Sequence, residues 1–232
     1  MTRNSVALSP TFGEKVVQFT RSLQPDWSLP PGVELLFPYA QPQTLEALEA
    51  FYRLYYTDQE TRTYIFGINP GRFGAGITGV PFTDSIRLET VCGIQNNFDK
   101  KAELSSIFVY HFIQAFGGPV AFYRQFYITS LCPLGFTKEG KNYNYYDDRQ
   151  LESAVTPHII NNIQTQKSFG ANNKIALCMG EGQNYRFFTK LNDKHGFFDE
   201  ILPLPHPRWV MQYRSKRMDE FVELYLQQFA RV

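Results

Sequence analysis

An asparagine and a histidine, far apart in the chain, are the residues best suited to chemistry in this sequence. Asn69 follows the short apolar run 63–68 and begins an Asn-Pro-Gly turn. His206 follows another short apolar run, and its neighbours Pro205 and Pro207 hold the backbone extended and limit its mobility. A fixed imidazole at the end of a strand is a better catalytic candidate than one on a helix face. Asn69 and His206 are therefore the first candidates for a catalytic pair.

Each candidate also has an ordinary structural interpretation. An Asn-Pro-Gly sequence is a common turn, and Phe82 taken alone is a loop aromatic that covers the core. The other three histidines are weaker candidates, because His111 and His158 lie within helical patterns and His195 lies in a polar loop. What raises the pair above these alternatives is where the predicted elements place it.

Four short apolar runs, each ending in a turn, alternate with helical patterns along the chain. This alternation predicts an α/β fold with three αβα layers around a central four-stranded parallel sheet. Ligands bind at the carboxyl ends of the strands in such sheets, so Asn69, Ser130 and His206 should lie at one edge. The predicted strands are 63–68, 126–131, 174–179 and 199–204. The predicted helices start at Phe12, cover 44–56, 103–116, 148–166 and 215–229, and include one after Gly182.

We expect one domain over residues 1–232, with residues 1–60 as an N-terminal helical extension packed on it. The glycine-rich stretch 71–82 and the polar stretch 138–148 are predicted loops. Both loops follow predicted strands, so both can contribute to the edge where the candidate residues meet.

The composition narrows the class of protein without identifying it. Of the 232 residues, 43% are hydrophobic and 19% are charged, which excludes a disordered chain. The 21 Phe and 14 Tyr residues indicate a dense core, a surface that stacks on bases, or both. Because the formal net charge is only +1, any contact with nucleic acid must come from a local basic patch.

The cysteines argue against a four-cysteine metal site, and together with the apolar runs they predict a cytoplasmic protein. Cys92, Cys132 and Cys178 show no C-x-x-C spacing and are too few for a four-cysteine site, so we expect reduced thiols. No apolar run approaches the roughly 20 residues that cross a membrane. The polar segment Met1–Phe12 lacks the apolar stretch of a signal peptide.

Three segments together resemble the single-strand-selective monofunctional uracil-DNA glycosylase (SMUG) family. The segment 67–82 resembles the family's first active-site motif, with Asn-Pro-Gly at 69–71, Phe-Gly at 73–74 and Thr-Gly-Val-Pro-Phe at 78–82. The segment 204–208 is similar to the second motif, in which a His-Pro pair opens the DNA-probing loop. The segment 130–134 falls where the family has its pyrimidine-recognising strand, including Cys-Pro-Leu.

The resemblance implies the uracil-DNA glycosylase fold and a monofunctional DNA-repair enzyme that needs no cofactor. Such an enzyme flips the damaged base out of the duplex and hydrolyses its N-glycosidic bond. By this resemblance Phe82 stacks on the flipped base, Asn69 positions a water molecule, and His206 donates a hydrogen bond to the departing base. The residues that would form the base pocket are Gly67, Ile68, Pro70, Gly71, Phe82 and Ser130.

Ser130 departs from the family, which usually has asparagine at this position. A serine has a shorter reach and a single hydroxyl, so either a water bridges the gap or a wider pocket recognises a different base edge. A wider pocket would admit xanthine or hypoxanthine beside uracil. The departure therefore affects the predicted identity of the base more than the predicted type of reaction.

The segment 208–217 has four basic residues and no acid. It is either a solvated loop and helix start, or a loop that contacts phosphates and fills the gap left by the flipped base. The usual Ser-Pro-Arg continuation after Pro207 is missing, so either Arg208 or Trp209 could be the wedge. The predicted DNA-contacting residues are Arg208, Trp209, Arg214, Lys216 and Arg217.

Two other functions remain open at this point. A non-catalytic module of the same fold could bind damaged or single-stranded DNA, and the uncharged Asn69 and Ser130 favour it. A hydrolase of small nucleotides or nucleosides could use the same strand ends, although the basic segment argues for a polymer. We expect a monomer that acts on DNA containing a damaged or deaminated base.

Overall fold

A four-stranded parallel sheet lies at the centre of the computed structural model, which describes residues 9–232. The strands are β1 Val33–Leu36, β2 Arg62–Gly67, β3 Phe126–Ser130, β4 Gly135–Lys138, β5 Lys141–Tyr143, β6 Ala171–Met179 and β7 Glu200–Leu204. The helices are α1 Phe12–Ser22, α2 Pro42–Tyr55, α3 Ala75–Thr78, α4 Ser85–Thr90, α5 Leu104–Phe116, α6 Pro119–Gln125, α7 Arg149–Lys167, α8 Gln183–His195, α9 Pro207–Tyr213 and α10 Met218–Phe229.

The central sheet has the order β3-β2-β6-β7, with all neighbours parallel and helices on its flanks. Strand β2 is buried along its whole length, as expected for a parallel strand covered on both faces. Gly67 pairs with Ser130 at the carboxyl ends of β2 and β3, and Met179 pairs with Leu204 at the ends of β6 and β7. The predicted three-layer α/β fold is confirmed, and Asn69, Ser130 and His206 follow or end three of its strands.

A second, antiparallel sheet of order β1-β4-β5 was not predicted. Its hairpin joins β4 to β5 through Glu139 and Gly140, whose φ angles of 51° and 67° fit a two-residue turn with both central residues left-handed. The prediction that 138–148 is entirely loop is therefore wrong, because Lys141–Tyr143 is a strand. Glutamate is an unusual first residue for this turn, so the sequence carries only a weak hairpin signal.

The predicted N-terminal helical extension also needs correction. It contains α1 and α2, but β1 lies between them and pairs with β4. Residues 1–8 of that extension lie outside the described residues. The correction means that this segment contributes a strand to the sheet that borders the candidate site.

The N-terminal helices pack against the sheet around a buried arginine. Arg62 is 0% exposed, and its guanidinium carbon lies 4.7 Å from the Phe12 ring centroid and 4.8 Å from that of Tyr56. Its Nε donates to the Tyr123 carbonyl at 2.9 Å, and Nη1 pairs with Asp58 at 2.9 Å. Because the buried charge is paired and hydrogen-bonded, Arg62 ties both N-terminal helices to the amino end of β2, opposite the candidate site.

Two stretches predicted as loops contain short helices. The stretch 71–82 includes α3, and the start of the basic segment forms α9 rather than a loop. The reason for α9 is local, because Pro207 occupies the first helical position and the His206 side chain caps the helix by accepting from a backbone N–H. The predicted final helix starts as a 3₁₀ turn over Ser215–Arg217 before α10.

Candidate active site

An open cleft of about 480 Å³ lies at the carboxyl edge of the central sheet. The catalytic candidates Asn69 and His206 both line it. Four predicted residues lie outside the lining: Gly67, Arg214, Lys216 and Arg217. The other predicted residues that line the cleft are Ile68, Pro70, Gly71, Phe82, Ser130, Arg208 and Trp209.

The amide of Asn69 is held in one orientation by main-chain groups of Pro70 and of residues at and just after the end of β5. Its Oδ1 accepts from the Tyr145 N–H at 3.1 Å, and its Nδ2 donates to the carbonyls of Tyr143 at 3.3 Å and Pro70 at 3.2 Å. A backbone N–H needs an oxygen and a carbonyl needs a donor, so the two ends of the amide cannot be exchanged. Oδ1 keeps one lone pair that can accept from a water molecule.

The prediction of a polar loop over 138–148 misses the residues that hold Asn69. The alternation of Asn and Tyr over 142–145 is a period-two pattern typical of a strand and could have found them. Asn142 also accepts from the Arg72 N–H at 2.9 Å, which ties the hairpin to the turn after Asn69.

The turn after β2 is hydrogen-bonded to the segment that follows β3. The Leu131 N–H donates to the Gly67 carbonyl and the Cys132 N–H to the Ile68 carbonyl, both at 3.0 Å. At Gly135, an added Cβ would lie 2.2 Å from the Pro70 carbonyl oxygen, so only glycine allows this approach. The segments that carry Asn69 and Ser130 therefore hold a fixed spacing.

His206 is a neutral hydrogen-bond donor in this environment. Its Nδ1 accepts from the Arg208 N–H at 3.2 Å, so the ring proton of the neutral imidazole is on Nε2. Burial lowers the pKa of His206 to about 4, and the positive charge of Arg208 adds to this effect. At neutral pH the side chain therefore carries a proton to donate at Nε2 but no charge.

Phe82 has a strained backbone and an aromatic ring packed over β2. Its φ angle is 52°, a left-handed conformation that costs on the order of 1–3 kcal/mol for a non-glycine residue. An added Cβ at Gly67 would lie 2.9 Å from Cε2 of the Phe82 ring, so the glycine provides clearance for that ring. The Phe82 and His206 ring centroids lie 6.1 Å apart, so both rings border the same part of the cleft.

Ser130 lines the cleft at the end of β3. Its main-chain carbonyl accepts from Nδ2 of the buried Asn162 at 3.0 Å, and that Nδ2 also donates to the Leu131 carbonyl at 2.8 Å. Among residues 9–232, the hydroxyl itself has no hydrogen-bond partner within the protein. A ligand or water can therefore use the hydroxyl both as a donor and as an acceptor.

The predicted DNA-contacting residues divide into two groups. Arg208 and Trp209 lie on α9 and line the cleft, and both are exposed. The Arg214 guanidinium lies 5.1 Å from the Trp209 ring centroid, just outside the lining. Lys216 is exposed in the 3₁₀ turn, and Arg217 forms an ion pair with Glu220 at 2.6 Å. Of the predicted basic residues, Arg208 is therefore the one that lines the cleft.

A second cation in the lining of the cleft, Lys101, was not indicated by the sequence. The Lys101 Nζ lies 4.2 Å and the Arg72 guanidinium carbon 4.8 Å from the Phe73 ring centroid. Lys101 and Phe73 line the cleft, as do Gln212 and Tyr213 on α9. Lys101 lies outside the three motifs, and the fold brings it to the cleft beside Phe73 of the first motif.

The described part of the chain offers neither a cluster of metal ligands nor a membrane-spanning helix. Over residues 9–232, no three His, Cys, Asp or Glu side chains are grouped so that they could hold a metal ion. No helix within that range is long and apolar enough to cross a membrane.

Comparisons with known proteins extend the similarity beyond the motifs. A family model described as the Uracil DNA glycosylase superfamily matches residues 54–230. The chain is also similar to the crystal structure of wild-type SMUG2 from Pedobacter heparinus, with 44% sequence identity and a TM-score of 0.93. That similarity covers 96% of this chain and 98% of the other. No curated protein sequence matches the chain.

Proposed function

Since the chain belongs to the uracil-DNA glycosylase superfamily, we propose that it removes uracil and other deaminated bases, including xanthine and hypoxanthine, from DNA. The chain is a DNA glycosylase of the SMUG type, and thus a hydrolase of N-glycosyl bonds. We further propose that it is monofunctional, with water as the nucleophile and an abasic site as the product. Family membership favours catalysis over a binding module, although neither Asn69 nor Ser130 carries a charge.

The observation that carries the proposal is the pair of fixed orientations at Asn69 and His206. The flipped base would stack on Phe82, with one of its carbonyl oxygens near the Nε2–H of His206. As the bond from C1′ to the base nitrogen breaks, its electron pair leaves with the base and the sugar becomes an oxocarbenium-like cation. A neutral donor stabilises the charge that gathers on the base oxygen and needs no reorganisation to do so.

Water then adds to C1′. The free lone pair of the Asn69 Oδ1 would hold this water by accepting one of its hydrogens, while Tyr143 and Tyr145 keep the amide in place. An amide is too weak a base to take the proton, so the proton passes to the departed base anion or to solvent. This chemistry needs departure of the base to precede attack by water, and the Nε2–H of His206 favours that order.

The free hydroxyl of Ser130 supports a broader choice of base than uracil alone. A hydroxyl can rotate to donate or accept, whereas an asparagine at this position would present a fixed donor and acceptor to uracil. The cleft of about 480 Å³ also has room for a purine. Both features agree with removal of xanthine or hypoxanthine beside uracil.

A glycosylase assay tests the proposed substrates directly. The wild-type chain is incubated with otherwise identical oligonucleotides that carry uracil, xanthine, hypoxanthine or, as a control, thymine at one position. We expect alkali-labile sites with uracil and at least one deaminated purine, and none with thymine. Strand breaks should require alkali, since a monofunctional enzyme leaves the abasic strand intact. Absence of alkali-labile sites with every base would contradict the proposed activity.

Ser130→Asn tests the role of the hydroxyl in substrate choice. The restored amide should raise the ratio of uracil to xanthine excision by about tenfold, since one fixed hydrogen-bond pair contributes roughly 1–3 kcal/mol to discrimination. Ser130→Ala, which removes the hydroxyl without adding an amide, is the matched comparison. An unchanged ranking of the bases in Ser130→Asn would show that recognition lies elsewhere in the cleft.

A further inference from the structure

Phe82 occupies the third position of a tight turn that normally requires another residue type. The Thr83 N–H donates to the Val80 carbonyl at 3.2 Å, so Pro81 and Phe82 are the central residues of a β-turn. With proline at the second position and a φ of 52° at the third, the turn matches type II, which favours glycine or asparagine at the third position. A phenylalanine held there needs support from its surroundings.

The main support is a buried hydroxyl that bridges the two ends of the turn. Thr78 is 0% exposed, and its Oγ1 accepts from the Val80 N–H at 3.2 Å and donates to the Thr83 carbonyl at 2.7 Å. One side chain therefore satisfies a main-chain donor at the start of the turn and a main-chain acceptor at its end. Removing this hydroxyl would leave both buried groups without a partner.

A second hydroxyl anchors the turn to α5. The Thr83 Oγ1 lies 3.1 Å from the Pro81 carbonyl oxygen and 2.9 Å from the Tyr110 hydroxyl, so it donates to the first and accepts from the second. The next residue continues the anchor, because the Asp84 carboxylate accepts from the Glu103 N–H at 2.9 Å, just before α5 begins. The turn is thus supported by the hydroxyl of Thr78, which precedes it in the chain, and by hydrogen bonds to α5 and the residue before it.

We propose that Thr78 is a positioning residue that holds the Phe82 ring in the place where the flipped base stacks, and that Thr83 supports it. The inference rests on the proposed stacking role of Phe82. The clearance over Gly67 is narrow, since a single Cβ there would already contact the ring, so a small relaxation of the turn displaces the stacking surface. Thr78 acts on catalysis through Phe82 alone and touches neither the base nor the sugar.

A double-mutant cycle separates positioning from general structural support. The variants are Thr78→Val, which is nearly isosteric, Phe82→Ala, which keeps the Cβ, and the two combined. Thr20→Val is the control, since Thr20 is also buried and its hydroxyl donates to the Val16 carbonyl within α1. Single-turnover excision of uracil at saturating DNA, affinity for DNA and the melting temperature are measured for each variant.

We expect Thr78→Val to lower the single-turnover rate by about tenfold, because small displacements of positioned groups cost rate steeply. Affinity for DNA should stay within about twofold, and in the Phe82→Ala background the same change should cost less than about twofold. Thr78→Ser, which restores the hydroxyl, should recover most of the rate, and Thr20→Val should leave it unchanged.

Equal losses from Thr78→Val with and without the Phe82 ring would overturn the inference and assign Thr78 a structural role only. An undiminished rate in Phe82→Ala would instead overturn the proposed role of Phe82, and the inference with it. If Thr78→Val does not fold, Thr83→Val takes its place in the same cycle, with the same expected coupling and the same contradiction.

Discussion

The two walls of the cleft are built in different ways. The inner wall consists of residues 68–71, Phe82 and Ser130. Main-chain hydrogen bonds hold it in place, and glycines allow its segments to approach one another closely. The outer wall, which consists of Arg208, Trp209, Gln212 and Tyr213 on α9, is open to solvent, with Trp209 38% and Tyr213 65% exposed. A fixed wall suits atoms that must be placed to a fraction of an ångström, whereas an exposed wall suits contact with a large and variable polymer.

His206 joins the two walls. It follows β7 and caps α9 through Nδ1, which leaves Nε2 free to donate, and its ring centroid lies 6.1 Å from that of Phe82. The helix that carries the exposed Arg208 and Trp209 is thus started by the same side chain that is proposed to stabilise the departing base. DNA bound against α9 would therefore be positioned relative to His206, and through His206 relative to the residues of the inner wall.

Removing a fixed group at the inner wall or its junction should have the largest effect. We expect Asn69→Ala, which removes the water-holding acceptor, and His206→Ala, which removes the donor to the base, each to lower the single-turnover rate of uracil excision by on the order of 10²–10³, the scale for loss of one preorganised hydrogen-bonding group. Binding of DNA should change little in Asn69→Ala, whereas His206→Ala also removes the cap of α9 and should weaken binding as well. The controls are Asn161→Ala and His111→Ala, which alter exposed residues on α7 and α5. Near-normal rates in both site variants would refute the roles assigned to them.

Changing the outer wall should have a smaller effect and act on binding. Arg208→Ala should weaken binding of an oligonucleotide with a hydrolysis-resistant 2′-fluoro-deoxyuridine by several-fold and reduce the slope of log affinity against log salt by about one. Arg217→Ala is the matched control, since Arg217 lies outside the lining of the cleft and is paired with Glu220. Equal salt slopes for Arg208→Ala and the wild-type chain would show that Arg208 makes no phosphate contact.

The same contrast between walls explains how much of the site was predictable from sequence. The order of the apolar runs is enough to predict that one edge of the sheet carries Asn69, Ser130 and His206, because the carboxyl ends of parallel strands lie at the same edge. The groups that hold Asn69 have a weaker signal, since the β5 hairpin turns through Glu139 rather than a typical turn glycine or asparagine and only the Asn and Tyr alternation over 142–145 indicates the strand. The bridge from Thr78 depends on a left-handed phenylalanine, a conformation that propensity does not anticipate.

The outer wall was predicted in composition but not in shape. The basic segment 208–217 was expected to be a loop that contacts phosphates, and its first part is instead a helix that begins at Pro207. Four positive charges in sequence do not reveal that one of them faces Glu220 and another lies over Trp209. Side-chain partners of exposed residues depend on the fold as a whole, so pattern alone could not distribute them between the cleft and the surface.

The smallest expected effect concerns His206, which joins the two walls: its imidazole should not titrate near neutral pH. An ordinary imidazole takes up a proton near pH 6.5, whereas burial, with a smaller contribution from Arg208, lowers the pKa of His206 to about 4. Between about pH 8 and about pH 5, His206 should therefore stay neutral, and its protonation should not reduce kcat/KM in this range. Any acidic limb due to His206 should have its midpoint near pH 4.

The same shift has a definite sign for stability. The unfolded chain binds a proton at His206 near pH 6.5 and the folded chain does not, so this residue makes folding less favourable as the pH falls from about 6.5 to about 4. Nitrogen-15 NMR of histidine-labelled protein measures both the pKa and the tautomer, with His206→Gln identifying the signal. We expect a protonated Nε2, an unprotonated Nδ1 and constant shifts above about pH 5. A midpoint near 6.5, or a proton on Nδ1, would contradict the neutral donor on which the proposed mechanism depends.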